Sequence, residues 1–422
     1  MPMSSQGKAF DANDTETGSD RKILLFDLDF TGHHAGYIQN LIRYWRDEKL
    51  PGKLYVVVTP KFVQLHTDVV KIAADNPKNN IIFVTISPEE EAAIKAKNSG
   101  INRTIRSFQE WNLLCKYASK LEVNHCLLMY FDSFQLPLSL GGKPPCALSG
   151  IYFRPVFHYS SFEGFRPSWR ERFWQIRDKF FLSRILGNSY FYNLFCLDPF
   201  VVAHISKKHR ELRVMHLADP VKIYDYPDSE IDAIKKDLGI QNNRKIFLIF
   251  GAPRKRKGIY ELLDAISLLP SDLCEKFCLL LVGPVASEEL VETRIEEISK
   301  SLPVQFVKYD KFIPDEQIQP YFQIADFILA PYQRHIGMSA ILVRAAGAQK
   351  PVLSSNYGLM GEMVKRYKLG IAVDSTVPSE ITKGLTQMLL EPSTKFGDIS
   401  KMKYFAEQNS PSEFGRIIFQ HI

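Results

Sequence analysis

Short apolar runs alternate with longer stretches of helical periodicity along most of the chain. From residue 21, the first half carries five apolar runs that predict strands: KILLFDLDF, KLYVVVTP, NIIFVTIS, HCLLMYFD and CALSGIYF. The second half repeats this rhythm with KIFLIFGA, FCLLLVGP, VQFVKYD, ADFILAPY and KPVLSS. Strands that alternate with helices are typical of parallel sheets covered on both faces. The pattern therefore predicts an α/β protein with two doubly wound, Rossmann-like domains that face a cleft.

Composition shifts along the chain indicate where these domains begin and end. Residues 1–20 are polar and lack an apolar secretory segment, so we expect a disordered tail there. Residues 21–218 form the first predicted domain, and residues 240–395 form the second. The segment 219–239 between them is rich in proline and aspartate and lacks periodicity, which is typical of an interdomain linker.

Charge and cysteine content narrow the classes of partner. The net charge of +6 fits an anionic ligand or a membrane surface, and it is too small to require a nucleic acid. The six cysteines form no C-x-x-C pair and no metal-ligand set, so we expect free thiols in a reducing cytoplasm and no bound metal. No run approaches the ~20 apolar residues that span a bilayer. We therefore expect a cytoplasmic protein that is soluble or lies on a membrane surface.

The most basic turn of the chain, GAPRKRKG at residues 251–258, joins a predicted strand to a predicted helix. It places four consecutive cations between two glycines. A solvated turn would explain such a run. An anion site would also explain it, because a helix start offers unpaired N–H groups and the positive end of a dipole.

The second half of the chain resembles the retaining nucleotide-sugar glycosyltransferases of family four, which have the GT-B fold. IFGAPRKRKGIYELLDAI is similar to that family's segment with Gly, Lys-Gly and a helix ending in Ala-Ile. VQFVKYDKFIPDEQIQPYFQIADFILAPY and AAGAQKPVLSSNYGLMGEMV match its later strands and loops. LLLVGP, LGIAVD and FAEQNSPSEFGRIIFQ continue the match. In this family the final helix crosses back to the first domain, which implies the same for residues 396–422.

The resemblance assigns roles to the basic turn. It implies that Gly251 and Lys257, with Gly258 beside them, bind the diphosphate of a nucleotide-sugar donor. The family's arginine after the glycine is replaced by Ala252, so Arg254 or Arg256 is the expected substitute. In this family the leaving diphosphate takes the acceptor proton, and the protein supplies position and charge. The expected catalytic cations are therefore Lys257 and Arg254, with no cofactor besides the nucleotide-sugar.

One departure from the family concerns two glutamates around the donor sugar, whose positions fall on Ile336 and Arg344. An isoleucine cannot replace a carboxylate, and an arginine offers no acceptor for ribose hydroxyls. The loop around them still implies donor contacts, for which the candidates are Gly337, Met338, Ser339 and Glu362. A plain loop is the alternative for Ser339, and capping a helix N-terminus is the alternative for Glu362.

The acceptor side of the cleft is expected in the first domain. The candidates there are Gly32, His33, His34 and Gly36 in the loop TGHHAG, Asp132 at the end of HCLLMYFD, and Arg154 after SGIYF. Asp132 is also a candidate catalytic residue, because relatives carry a His or Asp at this point near the sugar. The alternatives are histidines satisfied by the core or the surface, and structural charges at the strand ends.

Residues 166–187 predict an amphipathic helix with six cations against two acids. Trp169, Phe173, Ile176 and Phe180 fall on one face of this helix. Such a helix is expected to lie on an anionic membrane and to guide a lipid-linked acceptor. The alternative is a core helix with a basic outer face.

Together with these patterns, the resemblance implies a glycosyltransferase that moves a sugar from a nucleotide donor to a hydroxyl acceptor with retention of configuration. The acceptor is a glycan, a lipid or a small molecule. The alternative, favoured by the missing glutamates, is a degenerate fold that binds a sugar or a partner protein. A membrane-surface scaffold acting through residues 166–187 is a third reading.

Overall fold

The computed structural model describes residues 20–96, 98–162, 165–206, 213–284 and 289–422. Apart from Asp20, the predicted disordered tail lies outside the described residues. The chain folds around two parallel β-sheets, each with helices on both faces. The predicted α/β fold with two Rossmann-like domains is confirmed.

The first sheet contains the five strands predicted from the first half of the sequence and two that the apolar pattern did not predict. In chain order its strands are β1 (Lys22–Phe26), β2 (Lys53–Val58), β3 (Ile81–Thr85), β4 (His125–Leu128), β5 (Ala147–Tyr152), β6 (Phe191–Cys196) and β7 (Arg213–His216). Their order in the sheet is β3-β2-β1-β4-β5-β6-β7, and all neighbours are parallel. The strand order reverses between β1 and β4, where doubly wound sheets bind their ligands.

The second sheet has the same reversal. Its strands are β8 (Lys245–Phe250), β9 (Phe277–Val282), β10 (Gln305–Tyr309), β11 (Phe327–Ala330), β12 (Val352–Ser355) and β13 (Gly370–Val373). They are parallel in the order β10-β9-β8-β11-β12-β13. The switch point here lies between β8 and β11, so the basic turn that follows β8 begins at it.

Helices cover both sheets. Those before the second sheet are α1 (His34–Asp47), α2 (Pro60–Leu65), α3 (Thr67–Ala74), α4 (Pro88–Ala93), α5 (Gly100–Lys120), α6 (Gln135–Ser139), α7 (Trp169–Leu186), α8 (Pro199–Ser206) and α9 (Asp228–Asp237). Those that follow are α10 (Ile259–Ser267), α11 (Ser271–Cys274), α12 (Glu289–Ser301), α13 (Gln319–Ile324), α14 (Ala340–Gly347), α15 (Gly358–Tyr367), α16 (Pro378–Leu390), α17 (Ile399–Gln408) and α18 (Pro411–Phe419). Within the described ranges, no helix combines the length and the apolar character needed to cross a membrane.

The last two helices belong to different cores. Met402 and Phe405 of α17 are buried in the core of the second sheet, whereas Phe414 of α18 is buried in that of the first. Helix α18 packs closely on α1, because a Cβ at Gly415 would lie only 2.3 Å from the Cγ of Tyr44. Only glycine allows this approach without a shift of the ring.

Aromatic residues that follow β5 connect the two domains across the cleft. Tyr159, Phe162 and Phe165 are buried within the core of the second sheet. The Tyr159 hydroxyl donates a hydrogen bond of 2.8 Å to the carbonyl of Ile336, and the Phe165 ring lies 5.1 Å from that of Tyr357. These contacts hold the carboxyl ends of both sheets against one cleft.

Candidate functional site

The sequence-predicted site residues gather at the carboxyl ends of strands that flank the two switch points. Loops after β1, β4 and β5 carry the first-domain candidates, and loops after β8 and β11 carry most of the donor candidates. The two groups approach each other, since the Tyr159 hydroxyl after β5 donates a hydrogen bond of 2.8 Å to the Ile336 carbonyl after β11. Ligands of open α/β sheets bind at this position.

Lys257 and Gly251 are assembled into one compact unit at the end of β8. Gly251 has a φ of 81°, in the left-handed region, and a Cβ there would lie 2.4 Å from the Lys257 Nζ. The Lys257 ammonium donates a hydrogen bond of 2.5 Å to the carbonyl of Phe250. The left-handed backbone therefore favours glycine at 251, and the side chain of Lys257 lies directly over it. Gly258, with a φ of 74°, ends the turn and begins α10.

The charge of Lys257 is poorly compensated. Burial, followed by the nearby charges of Arg256 and Arg254, lowers the pKa of Lys257 to about 8. Among the described residues no carboxylate forms an ion pair with it. A cation held in this way favours an anionic ligand, because an anion supplies the charge that the protein lacks.

Arg256 connects the basic turn to the loop after β11. Its guanidinium lies 5.5 Å above the ring of Tyr332 and 3.3 Å from Nδ1 of His335. Arg254 and Lys255 are exposed, and their side chains form no hydrogen bond or ion pair with any described residue. Arg256 thus occupies a fixed place at the cleft, whereas Arg254 extends into solvent beside it.

The loop of residues 335–339 offers backbone donors to the cleft. The N–H groups of Gly337 and Met338 donate to no acceptor among the described residues. His335 Nε2 lies 3.2 Å from the Met338 carbonyl, and burial lowers the pKa of His335, so its ring is neutral near pH 7. The Ser339 hydroxyl makes only a long bond of 3.4 Å to the Tyr332 hydroxyl.

The two positions of the missing glutamates carry structural contacts. The Ile336 carbonyl accepts the interdomain bond from Tyr159. Arg344 is buried, and its guanidinium donates to Asp315 at 2.5 Å and to the linker carbonyl of Lys222 at 3.4 Å. Arg344 therefore joins the linker to the second domain, and it offers no acceptor for ligand hydroxyls.

Glu362 lies half-buried in α15. No described backbone N–H donates to its carboxylate, so the geometry lends no support to the alternative of a helix cap.

The two histidines after β1 have different neighbours. His34 contacts carboxylates, and His33 contacts aromatic rings. His34 Nδ1 lies 2.7 Å from a carboxylate oxygen of Asp27, and its Nε2 lies 3.9 Å from Asp29. His33 stacks on His34 with 5.1 Å between ring centroids, and it lies 5.2 Å from the ring of Phe153. Burial and His34 lower the pKa of His33, so its neutral ring can accept a proton or a hydrogen bond.

Helix α1 begins at His34, so of the predicted loop glycines only Gly32 lies in the loop and Gly36 lies in the first turn of the helix. Neither glycine is crowded. Gly32 has a φ of 69°, which favours glycine, and a Cβ at Gly32 or Gly36 would meet nothing within 4 Å. The open space beside both residues leaves room for a ligand.

Asp132 performs a structural task at the end of β5. Its two carboxylate oxygens accept hydrogen bonds from the backbone N–H groups of Phe153 at 2.9 Å and Arg154 at 3.2 Å. Removal from solvent raises the pKa of Asp132 to about 6, although these bonds oppose the rise. The geometry favours the structural alternative, in which Asp132 positions Phe153 and Arg154. The Arg154 guanidinium in turn donates to the Tyr130 hydroxyl at 2.8 Å.

Several residues of the site were missed by sequence reasoning. They are Asp27, Asp29, Tyr130 and Phe153. The pair Asp27 and Asp29 had a readable signal, since FDLDF ends an apolar run with two carboxylates at the end of a strand. The aromatic residues had no such signal, because in a sequence an aromatic residue at a strand end cannot be distinguished from a core residue.

Comparisons with known proteins agree with this architecture. The sucrose-phosphate synthase from Thermosynechococcus elongatus superposes with a TM-score of 0.64 at 15% identity, covering 95% of this chain and 98% of its own. Anabaena HepE in complex with UDP gives 0.63 at 14% identity, with 95% and 98% covered. A glycosyltransferase from Rickettsia africae gives 0.62 at 13% identity, with 95% and 97% covered. No curated protein sequence matches this chain significantly.

The second domain also matches a protein family by sequence. Residues 230–408 match the family described as Glycosyl transferases group 1. This range contains the basic turn, the loop of residues 335–339 and Glu362. The chain therefore has the GT-B fold, and its match to the group 1 glycosyl transferases supports glycosyltransferase activity.

Proposed function

We propose that the protein transfers a sugar from a nucleoside-diphosphate sugar to a hydroxyl acceptor with retention of configuration. The observation that carries the proposal is the uncompensated ammonium of Lys257, folded over Gly251 at the switch point of the second sheet. The family match at residues 230–408 and the UDP complex of Anabaena HepE support the same donor class.

In this proposal the cations act on the leaving group. Lys257 and Arg256 bind the diphosphate, with Arg254 near enough to add its charge. The acceptor oxygen forms a bond to the anomeric carbon while the bond to the leaving phosphate oxygen breaks, and that oxygen takes the acceptor proton. Stabilising the negative charge on the departing diphosphate lowers the barrier. In the same proposal the N–H groups of Gly337 and Met338, which donate to no described acceptor, hold the donor sugar.

His33 and Arg154 are the proposed contacts for the acceptor. They lie on a surface of aromatic rings, with His33 stacked near Phe153 and Arg154 held by Tyr130. Rings of this kind pack against the apolar faces of sugars, and the guanidinium adds hydrogen-bond donors.

We also propose that α7 binds an anionic membrane surface, which would place a cytoplasmic enzyme at the bilayer. Trp169, Phe173, Ile176 and Phe180 are between 59% and 75% exposed, so the alternative of a core-facing apolar face is wrong. Other side chains of the helix, such as Leu182 and Ile185, pack inward. Arginines beside the exposed face supply charge that complements anionic lipids.

A non-catalytic binding protein is the second candidate function. The specific observation in its favour is Arg344, whose guanidinium is committed to Asp315 and Lys222 where relatives carry a glutamate. Such a protein would hold a nucleotide or a sugar without transfer.

A donor screen separates the two functions. Uridine, guanosine and adenosine diphosphate sugars are tested for binding and for release of the nucleoside diphosphate with a panel of hydroxyl acceptors. We expect one base to bind and to turn over. Binding without turnover favours the second candidate, and no binding by any nucleotide contradicts the proposal.

We expect transfer to continue in excess EDTA. Asp27, Asp29 and His34 have ligand atoms within 4.8 Å of one another and are the group to consider for a metal. However, Asp29 already receives the Arg106 guanidinium at 2.8 Å, and Asp27 holds His34. Initial rates in EDTA and in added Mg²⁺ or Mn²⁺ check this. A loss of rate of about tenfold or more that a metal restores would show that a divalent ion takes part.

A further inference from the structure

A cavity of 510 Å³ opens at the carboxyl ends of β12 and β13, beside the loop of residues 335–339. Its wall combines residues after these strands with Arg334 and with Arg166, which precedes α7. No lining residue belongs to the basic turn or to residues 335–339. The cavity is therefore separate from the proposed donor site, although it lies on the same edge of the second sheet.

Positive charge dominates the lining. Arg166, Arg334 and Lys365 face the cavity, against one carboxylate, that of Asp374. One oxygen of Asp374 already accepts hydrogen bonds from the N–H of Thr376 at 3.0 Å and from its hydroxyl at 2.6 Å. Arg166 and Arg334 are therefore the cations of the lining that an anionic group would meet.

Arg334 is held in place at the mouth of the cavity. Its guanidinium lies 5.1 Å above the ring of Tyr357 and 3.4 Å from the Glu171 carboxylate on α7. The second contact is long and the Arg334 side chain is 54% exposed, so most of its five N–H donors remain accessible. Arg334 also has a φ of 47°, a strained conformation for a residue other than glycine. Such strain is concentrated at functional sites.

Arg166 supplies the second guanidinium from the first domain. It is exposed and forms no hydrogen bond or ion pair with a described residue. Arginine binds phosphate through paired N–H donors, and two arginines on one wall can share one phosphate group.

We propose that this cavity binds the phosphate group of a phosphate ester between Arg166 and Arg334. A volume of 510 Å³ exceeds the needs of inorganic phosphate and falls within the range of organic ligands. The phosphate is carried either by a soluble sugar phosphate or by a lipid headgroup, since Arg166 directly precedes the exposed face of α7. This site does not depend on the proposed transfer reaction.

Phosphate binding tests the proposal in a variant whose basic turn lacks the Lys257 ammonium. Equilibrium dialysis with labelled inorganic phosphate compares three proteins. The first carries Lys257→Met alone. The second adds Arg166→Gln and Arg334→Gln, and the third adds Arg103→Gln and Lys120→Gln instead. The last pair removes two exposed cations from α5 as a control. We expect Kd to rise at least about tenfold for the cavity variant and to stay unchanged for the control. Equal binding by all three proteins would overturn the proposal, whatever the outcome of the donor screen.

Crystals soaked in tungstate, a phosphate analogue, locate the site directly. We expect an anomalous peak between Arg166 and Arg334, and occupancy elsewhere alone would contradict the proposal.

The same cavity variant, with Lys257 intact, distinguishes the two sources of the phosphate. If a lipid headgroup supplies it, the variant floats less with phosphatidylglycerol vesicles although the apolar face of α7 is intact. If a soluble ester supplies it, flotation is unchanged and binding of glucose 6-phosphate is lost. If neither measurement changes, the cavity is not a phosphate site.

Discussion

Replacing Lys257 with methionine is expected to lower kcat/KM for sugar transfer by about 100-fold or more, because the leaving diphosphate loses its buried cation. The same substitution is expected to make the protein more stable at pH 7. Burial and two arginines hold the pKa of Lys257 near 8, below the ordinary lysine value of 10.5. A methionine of similar length fills the space without the charge.

The sign of the stability effect follows from the two pKa values. The unfolded chain binds this proton more tightly than the folded chain, so the protonated lysine destabilises the fold at every pH below 8. This penalty disappears as the pH rises from about 8 to 10.5. A shift of this size corresponds to at most ~3 kcal/mol, and the lost bond to the Phe250 carbonyl offsets about 1 kcal/mol.

Urea unfolding at pH 7 and pH 10 measures this effect. We expect Lys257→Met to raise the free energy of unfolding by about 1–2 kcal/mol at pH 7 and by less at pH 10. Lys255→Met is the matched control, because Lys255 is exposed in the same turn and should change neither stability nor rate. A less stable Lys257→Met at pH 7 would show that Lys257 is a structural residue.

Replacing Trp169, Phe173 and Ile176 together with serine is expected to weaken binding to anionic vesicles by about 100-fold, since three exposed apolar side chains no longer enter the interface. Flotation with vesicles of phosphatidylglycerol and phosphatidylcholine measures the partition. The matched control is Phe312→Ser in the second domain, because Phe312 is 83% exposed and lies outside α7. It should float like the wild type.

Charge reversal on α7 separates the electrostatic part of the same interaction. Reversal at Arg170, Arg172 and Arg177 should reduce binding to anionic vesicles and leave the weaker binding to neutral vesicles unchanged. If both sets of α7 variants float as the wild type does, the membrane proposal is wrong.

The backbone of the site was predictable because strand runs in doubly wound proteins end where ligands bind. The apolar runs gave the strands β1 and β8, and the residues after them are in the cleft. The strands β6 and β7 were missed. FYNLFC is apolar except for Asn193, so its signal was readable, whereas RVMH has only four residues and gives no clear signal.

Side-chain roles were less predictable, because they depend on contacts between distant segments. The resemblance made Asp132 a catalytic candidate at a strand end, but its oxygens accept hydrogen bonds from the backbone N–H groups of Phe153 and Arg154, which follow β5. In the sequence, Arg344 only marked the absence of a family glutamate. The fold shows that its guanidinium donates to the Lys222 carbonyl in the linker. For α7, periodicity identified the apolar face but could not say whether it faced the core or solvent.

A crystal structure with the nucleoside diphosphate selected by the donor screen shows whether the basic turn binds the diphosphate. We expect the diphosphate to lie over Gly251, with the Lys257 Nζ about 3 Å from a phosphate oxygen and moved from the Phe250 carbonyl. A diphosphate bound elsewhere, with Lys257 still bonded to Phe250, would contradict it.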